Sequence, residues 1–121
     1  MLQIDKIKER LNYQIGSHPV LLFMKGNPDA PQCGFSAKTC QVLKACGANF
    51  DYVDVLYDIE ARAVLPRVTN WPTFPQLFIN GELLGGSDIA WEMYQSGELQ
   101  KQLEQVKKTD TVETEPGDAK S

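Results

Sequence analysis

The chain lacks a Cys-X-X-Cys pair, has a single histidine, and contains neither an apolar stretch of membrane-spanning length nor a block of basic residues. Each absence removes a class of function. Ser36 stands where a dithiol centre would place its second cysteine, three positions after Cys33, and a serine cannot resolve a mixed disulfide. Three cysteines, an odd number at wide spacing, predict no disulfide framework. A zinc site lacks donors, since the one histidine, His18, lies beside Pro19 in what reads as a loop. The formal charge of −4 comes with scattered Lys and Arg rather than a basic stripe, so no nucleic acid is expected as a partner. No membrane partner is expected either. The first residues alternate charges with isoleucines and form no signal-peptide core, which points to a reducing compartment, the cytoplasm.

Among the residues that are present, Cys33 is the most informative. The apolar run Val20-Leu21-Leu22-Phe23-Met24 predicts a buried strand just before it. Helix formers follow from Ala37 to Cys46, with Gly47 as a natural stop. A thiol at a helix N-terminus faces unpaired amides and the positive end of the dipole, and both favour thiolate over thiol. Lys25 adds a nearby positive charge. On a helix over residues 34 to 46, Cys33 and Cys40 are separated by about 10 Å of rise, and Cys40 and Cys46 by about 9 Å. A disulfide needs Cα atoms within about 7 Å. Cys40 and Cys46 are therefore expected to be small buried packing residues.

Ile4, Ile7, Leu11 and Ile15 recur at helical spacing and predict an opening helix stopped by Gly16. Phe50 to Val55 reads as a second strand, and Asp58 to about Val68 as a helix carrying Pro66 as a defect. Gln76 to Ile79 and Glu82 to Leu84 flank Asn80-Gly81, a strong hairpin signal. A helix from Ser87 or Asp88 to Tyr94 and another from Glu98 to Val106 close the fold. One domain over residues 1–108 is expected. Residues 109–121 are rich in Thr, Glu and Asp with one lone valine, and are expected to form a disordered acidic tail. The element order α-β-α-β-α-β-β-α-α predicts an α/β fold of thioredoxin-like layout, a four-stranded mixed sheet flanked by helices.

Three blocks carry the comparison further. Lys25-Gly26 with Pro31 and Cys33-Gly34-Phe35-Ser36, then Trp71-Pro72-Thr73-Phe74-Pro75-Gln76, then Gly85-Gly86-Ser87-Asp88, together resemble the single-domain, bacterial-type monothiol glutaredoxins with a CGFS active site. The resemblance runs from about residue 4 to residue 107. It implies a glutaredoxin-type thioredoxin fold with glutathione beside the cysteine, held by Lys25, Cys33, Arg62, Phe74, Ser87 and Asp88. These roles make chemical sense. Lys25 and Arg62 can meet the glycine-end carboxylate of the tripeptide. Amides at the start of a helix opened by Ser87 and Asp88 can bind the γ-glutamyl carboxylate, while Asp88 attracts the ammonium group. A cis Phe74–Pro75 bond, as in the family, would leave the Phe74 backbone free to pair with the ligand.

Plainer roles stand beside these. Lys25 can be a solvated strand-end charge, Arg62 a surface helix residue, Pro75 the start of an edge strand, and Asp88 a complement to a helix dipole. Trp71 and Trp91 read as packing residues. Some relatives carry cysteine where this chain has Ser87, so any redox role of that position is absent here.

Two functions of different class follow from the resemblance. The first is a carrier of a [2Fe–2S] cluster, with Cys33 as its metal ligand. Such a centre needs four ligands, commonly thiolates; two copies supply two Cys33 sulfurs, and two glutathione molecules supply the others in a cluster-bridged homodimer. Implied partners are apo iron–sulfur proteins and a BolA-like protein. The alternative is an oxidoreductase that reduces protein–glutathione mixed disulfides, with Cys33 attacking the glutathione sulfur and a second glutathione regenerating it.

Overall fold

The computed structural model of the protein describes residues 2–106; the expected tail over 109–121, and the domain boundary before it, lie outside the described residues. Helix α1 (Leu2–Ser17) leads into strand β1 (Val20–Met24), followed by a two-residue pair, β2 (Gly26–Asn27) and β3 (Ala30–Pro31). Then come α2 (Gly34–Ala45), β4 (Asp51–Asp54), α3 (Ile59–Thr69), β5 (Gln76–Ile79), β6 (Glu82–Gly85) and α4 (Ser87–Ser96). A fifth helix, α5, runs through residues 98–106. The four-stranded sheet has the order β4-β1-β5-β6, with β1 parallel to β4 and antiparallel to β5. This is the expected thioredoxin-like mixed sheet. No described helix is long and apolar enough to cross a membrane.

Both faces of the sheet are covered, which is why all of β1 is apolar. Val20, Leu22 and Met24 face α2, α4 and α5, where they meet Leu43, Ala90, Leu99 and Leu103. Leu21 and Phe23 point the other way, with Leu11 and Ile15 of α1 and Ala61, Val64 and Leu65 of α3. The two faces alternate residue by residue, as a strand requires. Cys40 and Cys46 are 2% and 5% exposed and belong to the first of these cores, as expected; the Cys40 Sγ lies 3.6 Å from Met24 Sδ.

Topology places the site. The parallel register Met24↔Asp54 and the antiparallel register Phe23↔Gln76 bring the end of β1, the end of β4 and the start of β5 to one edge of the sheet. The Leu77↔Gly85 pairing adds the end of β6. Helices α2 and α4 both begin at this edge, directly after the β1 loop and after β6 respectively.

Most element ends follow their turn chemistry. Asn80 (φ 53) and Gly81 (φ 81) make the hairpin turn, and Gly97 (φ 86) caps α4. One boundary and one pair of short strands differ from expectation. α1 continues past Gly16 to Ser17. α3 carries Pro66 inside it, as expected, and closes at Asn70, a left-handed cap whose N–H donates to the Pro66 carbonyl. Burial of Ala61, Val64 and Leu65 offsets the hydrogen bond the proline cannot make. The β2–β3 ribbon was not foreseen: Asn27 Oδ1 accepts from the amides of Asp29 and Ala30 at 2.9 and 3.0 Å, and Gly26 (φ 88) admits no side chain there, since a Cβ would lie 2.6 Å from the Ala30 carbonyl.

The start of α3 is pinned to α1. Asp58 is its N-cap, accepting from the Ala61 amide at 3.0 Å, and its two oxygens take Arg10 at 2.9 and 3.1 Å. Burial alone would raise the Asp58 carboxyl, but Arg10 and the Ala61 amide overcome this and hold it below the usual carboxylate range. A carboxyl depressed on folding stabilises the native state above its unfolded pKa, and that contribution fades as pH falls through the folded value. Asp58→Ala is therefore expected to cost about 1–2 kcal/mol at pH 7, with the gap from wild type narrowing below about pH 4, as read by urea unfolding at each pH.

Candidate functional site

Cys33 is the N-cap of α2, in extended backbone conformation (φ −157, ψ 138), and is half-buried. Its carbonyl accepts the Ala37 amide at 2.9 Å and so starts the helix. The sulfur makes no regular cap hydrogen bond, yet the Ser36 and Phe35 amides lie close enough to favour its anion. Burial pushes the Cys33 thiol up; the amides of Ser36 and Phe35, the Ser36 hydroxyl and the Lys25 charge together bring it below an ordinary cysteine. The other two cysteines go the opposite way. Burial raises Cys40, against a smaller lowering by Lys44, and burial raises Cys46.

Ser36 has a structural part beside the sulfur. It is completely buried, and its hydroxyl accepts the Lys25 amide at 3.1 Å. This ties the end of β1 to the first turn of α2 and leaves the hydroxyl proton free to point at the sulfur. Gly26, next along, donates its amide to Asp54 Oδ1 at 2.9 Å, and the Leu56 amide reaches the same oxygen at 2.9 Å. One carboxylate thereby holds the loops after β1 and β4 together.

Beside the cysteine loop lies a cleft of about 410 Å³, lined on one wall by Trp71, Thr73, Phe74 and Pro75 and on the other by Gly86, Ser87 and Asp88, with Phe35 at its edge. The Phe74–Pro75 bond is cis. Ser87 is 7% exposed and its hydroxyl has no partner, and the indole N–H of Trp71 is likewise buried without one. Polar groups left unpaired in a concave site are the ones a ligand can satisfy. Gly86 closes the angle between the walls: a Cβ there would lie 3.3 Å from both the Pro75 carbonyl and Trp71 Nε1.

The structure thus brings Phe74, Ser87 and Asp88 into one cleft, with Cys33 two residues from Phe35 at its edge and Lys25 coupled to the thiol. Arg62 lies apart from the lining, exposed on α3 and one turn beyond the Asp58 cap. Trp91 packs against the core under Lys38, whose Nζ is 4.7 Å from its ring centroid, as expected of a packing residue. Trp71 does more than pack, since it forms part of the cleft wall. Among the described residues, no cluster of three His, Cys, Asp or Glu side chains is placed to hold a metal on one chain.

The glutaredoxin family model matches residues 20–84. Over 98 residues the chain is 55% identical to Glutaredoxin 4 of Escherichia coli K12, an alignment covering 81% of this chain and 85% of the other. The chain belongs to the glutaredoxin family. With serine closing Cys33-Gly34-Phe35-Ser36, it is a monothiol glutaredoxin. Glutaredoxin 4 of Haemophilus influenzae (strain 86-028NP) is 52% identical over 106 residues, covering 88% of this chain and 95% of that one. Among solved structures, reduced apo GrxS14 from poplar superposes with a TM-score of 0.71 at 49% identity, covering 83% of this chain and 92% of that one.

The thiol environments make a direct prediction. Iodoacetamide applied to this glutaredoxin in its native state is expected to add one label per chain, at Cys33, with half-maximal reactivity below the ordinary cysteine value of about 8.5. Ser36→Ala should move that midpoint upward. Labelling of Cys40 or Cys46 on the time scale of Cys33, read by peptide mass spectrometry, would contradict these assignments.

Proposed function

We propose that this monothiol glutaredoxin carries a [2Fe–2S] cluster between two copies of the chain, each giving its Cys33 thiolate and one bound glutathione. The observation that carries this reading is a single accessible thiol, its pKa lowered by neighbouring amides, the Ser36 hydroxyl and Lys25, beside a cleft with an unpartnered Ser87 hydroxyl. One chain offers one usable sulfur. A centre with four ligands therefore needs a second chain and further thiolates from outside the protein, and glutathione is a thiol whose charged ends suit this cleft.

The residues fit glutathione group by group. The apolar wall of Trp71, Phe74 and Pro75 flanks an extended tripeptide, with the Phe74 backbone available for strand-like pairing. The first turn of α4 and the Ser87 hydroxyl receive the γ-glutamyl carboxylate, and Asp88 receives its ammonium group. Lys25 and Arg62 serve the other carboxylate, Arg62 by reaching from α3. The bound cluster would supply iron and sulfide as transferable cargo. The protein's part is to present Cys33 as thiolate, to orient the tripeptide, and to leave half of the ligand set on a second chain and its glutathione. That division favours release to apo iron–sulfur proteins, and lets a BolA-like protein replace one copy. Free, ionisable thiol chemistry of this kind suits the reducing cytoplasm.

The lowered thiol pKa also favours a second reading, in which Cys33 attacks the sulfur of a protein–glutathione mixed disulfide. The protein thiol leaves, and a second glutathione then displaces the first as glutathione disulfide.

Anaerobic reconstitution with iron, sulfide and glutathione is expected to give a coloured dimer by absorption and size-exclusion chromatography, reverting to colourless monomer on chelation. Cys33→Ser should abolish the colour, whereas Cys40→Ser and Cys46→Ser should keep it. Colour that survives Cys33→Ser, or that forms equally without glutathione, would refute the ligand set. Turnover on a glutathionylated peptide at the rate of a dithiol glutaredoxin would favour the second reading.

A further inference from the structure

Gln76 opens β5 and is fully enclosed at 0% exposure, behind the cleft wall rather than in it. Its amide Nε2 donates to the Trp71 carbonyl at 2.8 Å and to the Thr73 carbonyl at 3.2 Å. Its Oε1 is buried with no partner. An unpaired buried acceptor is costly, and an apolar side chain of similar length would avoid that cost. What glutamine alone contributes here is the pair of donors.

Both carbonyls belong to the segment that forms one wall of the cleft. Trp71 carries the indole that abuts Gly86, at the foot of the opposite wall, and Thr73 directly precedes Phe74, which lines the cleft. Anchoring the main chain at 71 and 73 therefore sets the distance between the walls and the direction of the Phe74 peptide. Strand β5 is interior to the sheet and paired at Phe23↔Gln76, so the anchor itself is rigid.

We infer that Gln76 is a positioning residue for glutathione, shaping the cleft through the main chain of residues 71–74 without touching the ligand. The inference rests on the glutathione reading given above. Gln76→Met keeps the approximate shape and removes both donors. Gln76→Glu keeps the shape more closely; ionised, it offers no donor to the two carbonyls, and protonated it regains one O–H.

The test is calorimetric titration with S-methylglutathione, which cannot exchange disulfides, on the full chain from pH 8 to pH 5.5. Wild type is expected to bind. Gln76→Met should bind about 10-fold more weakly, the scale of one to two lost hydrogen bonds. Gln76→Glu should be as weak at pH 8, with its affinity relative to wild type recovering as pH falls, because burial against carbonyl oxygens raises a carboxyl's pKa. The Cys33 alkylation profile should stay at its wild-type position in both variants. A side chain that only supported folding would lower stability without that pH-dependent recovery of affinity. Binding within twofold of wild type in both variants, or a flat ratio for Gln76→Glu across the pH range, overturns the inference. Should Gln76→Met fail to fold by circular dichroism, the Gln76→Glu ratio decides alone. Failure of wild type to bind instead refutes the glutathione reading, and the inference with it.

Discussion

The part-buried hydrogen bond from the Lys25 amide to the Ser36 hydroxyl is the contact from which the rest of the site is built. It joins the last turn of a central strand to the first turn of a helix, across the loop that holds Cys33. Because Ser36 is completely enclosed, that joint is not loosened by solvent. The sulfur is then held at the mouth of α2, where amides, hydroxyl and lysine outweigh the upward push of burial on its pKa. The residue that takes the place of a second thiol is thus a structural partner of the first.

The opposite side of the site follows the same logic with different groups. Gly86 allows Trp71 and the Pro75 carbonyl to approach the start of α4, and the outcome is a narrow cleft with buried polar atoms awaiting partners. Asp54 and Asp58 act further out. The first fastens the loops that follow β1 and β4, while the second, gripped by Arg10, fixes the helix that carries Arg62. Charged groups here do positional work, and each is matched by amides or by a guanidinium.

Legibility in the sequence tracked how local the signal was. The apolar run of β1 showed as a strand because both of its faces are covered, and Asn80-Gly81 announced the hairpin because few other residue pairs adopt its positive φ values. Helical rise excluded a disulfide for Cys40 and Cys46, and the usual place of a free cysteine in a core then gave their burial. Long-range causes were hidden. Gly16 looked like a stop, since nothing nearby in the chain shows the packing of Ile15 against α3 that accompanies the helix past it. A ribbon of two-residue strands has no period to detect. Trp71 looked like a packing residue, since its place in the cleft depends on Gly86, fifteen positions later in the chain. Gln76 was legible only as part of a motif, and its two carbonyl partners appear only in three dimensions.

The burial of Cys40 and Cys46 has a consequence for oxidative damage. Both are locked in the core, and Cys40 faces the thioether of Met24 rather than another thiol. If Cys33 is oxidised to a sulfenic acid, no neighbouring thiol on the same chain can trap it as a reversible disulfide. Rescue has to arrive from solution, as a small-molecule thiol or another protein, before a second oxidant makes the lesion permanent. The molecule's durability in an aerobic cell is therefore set by the thiol pool around it.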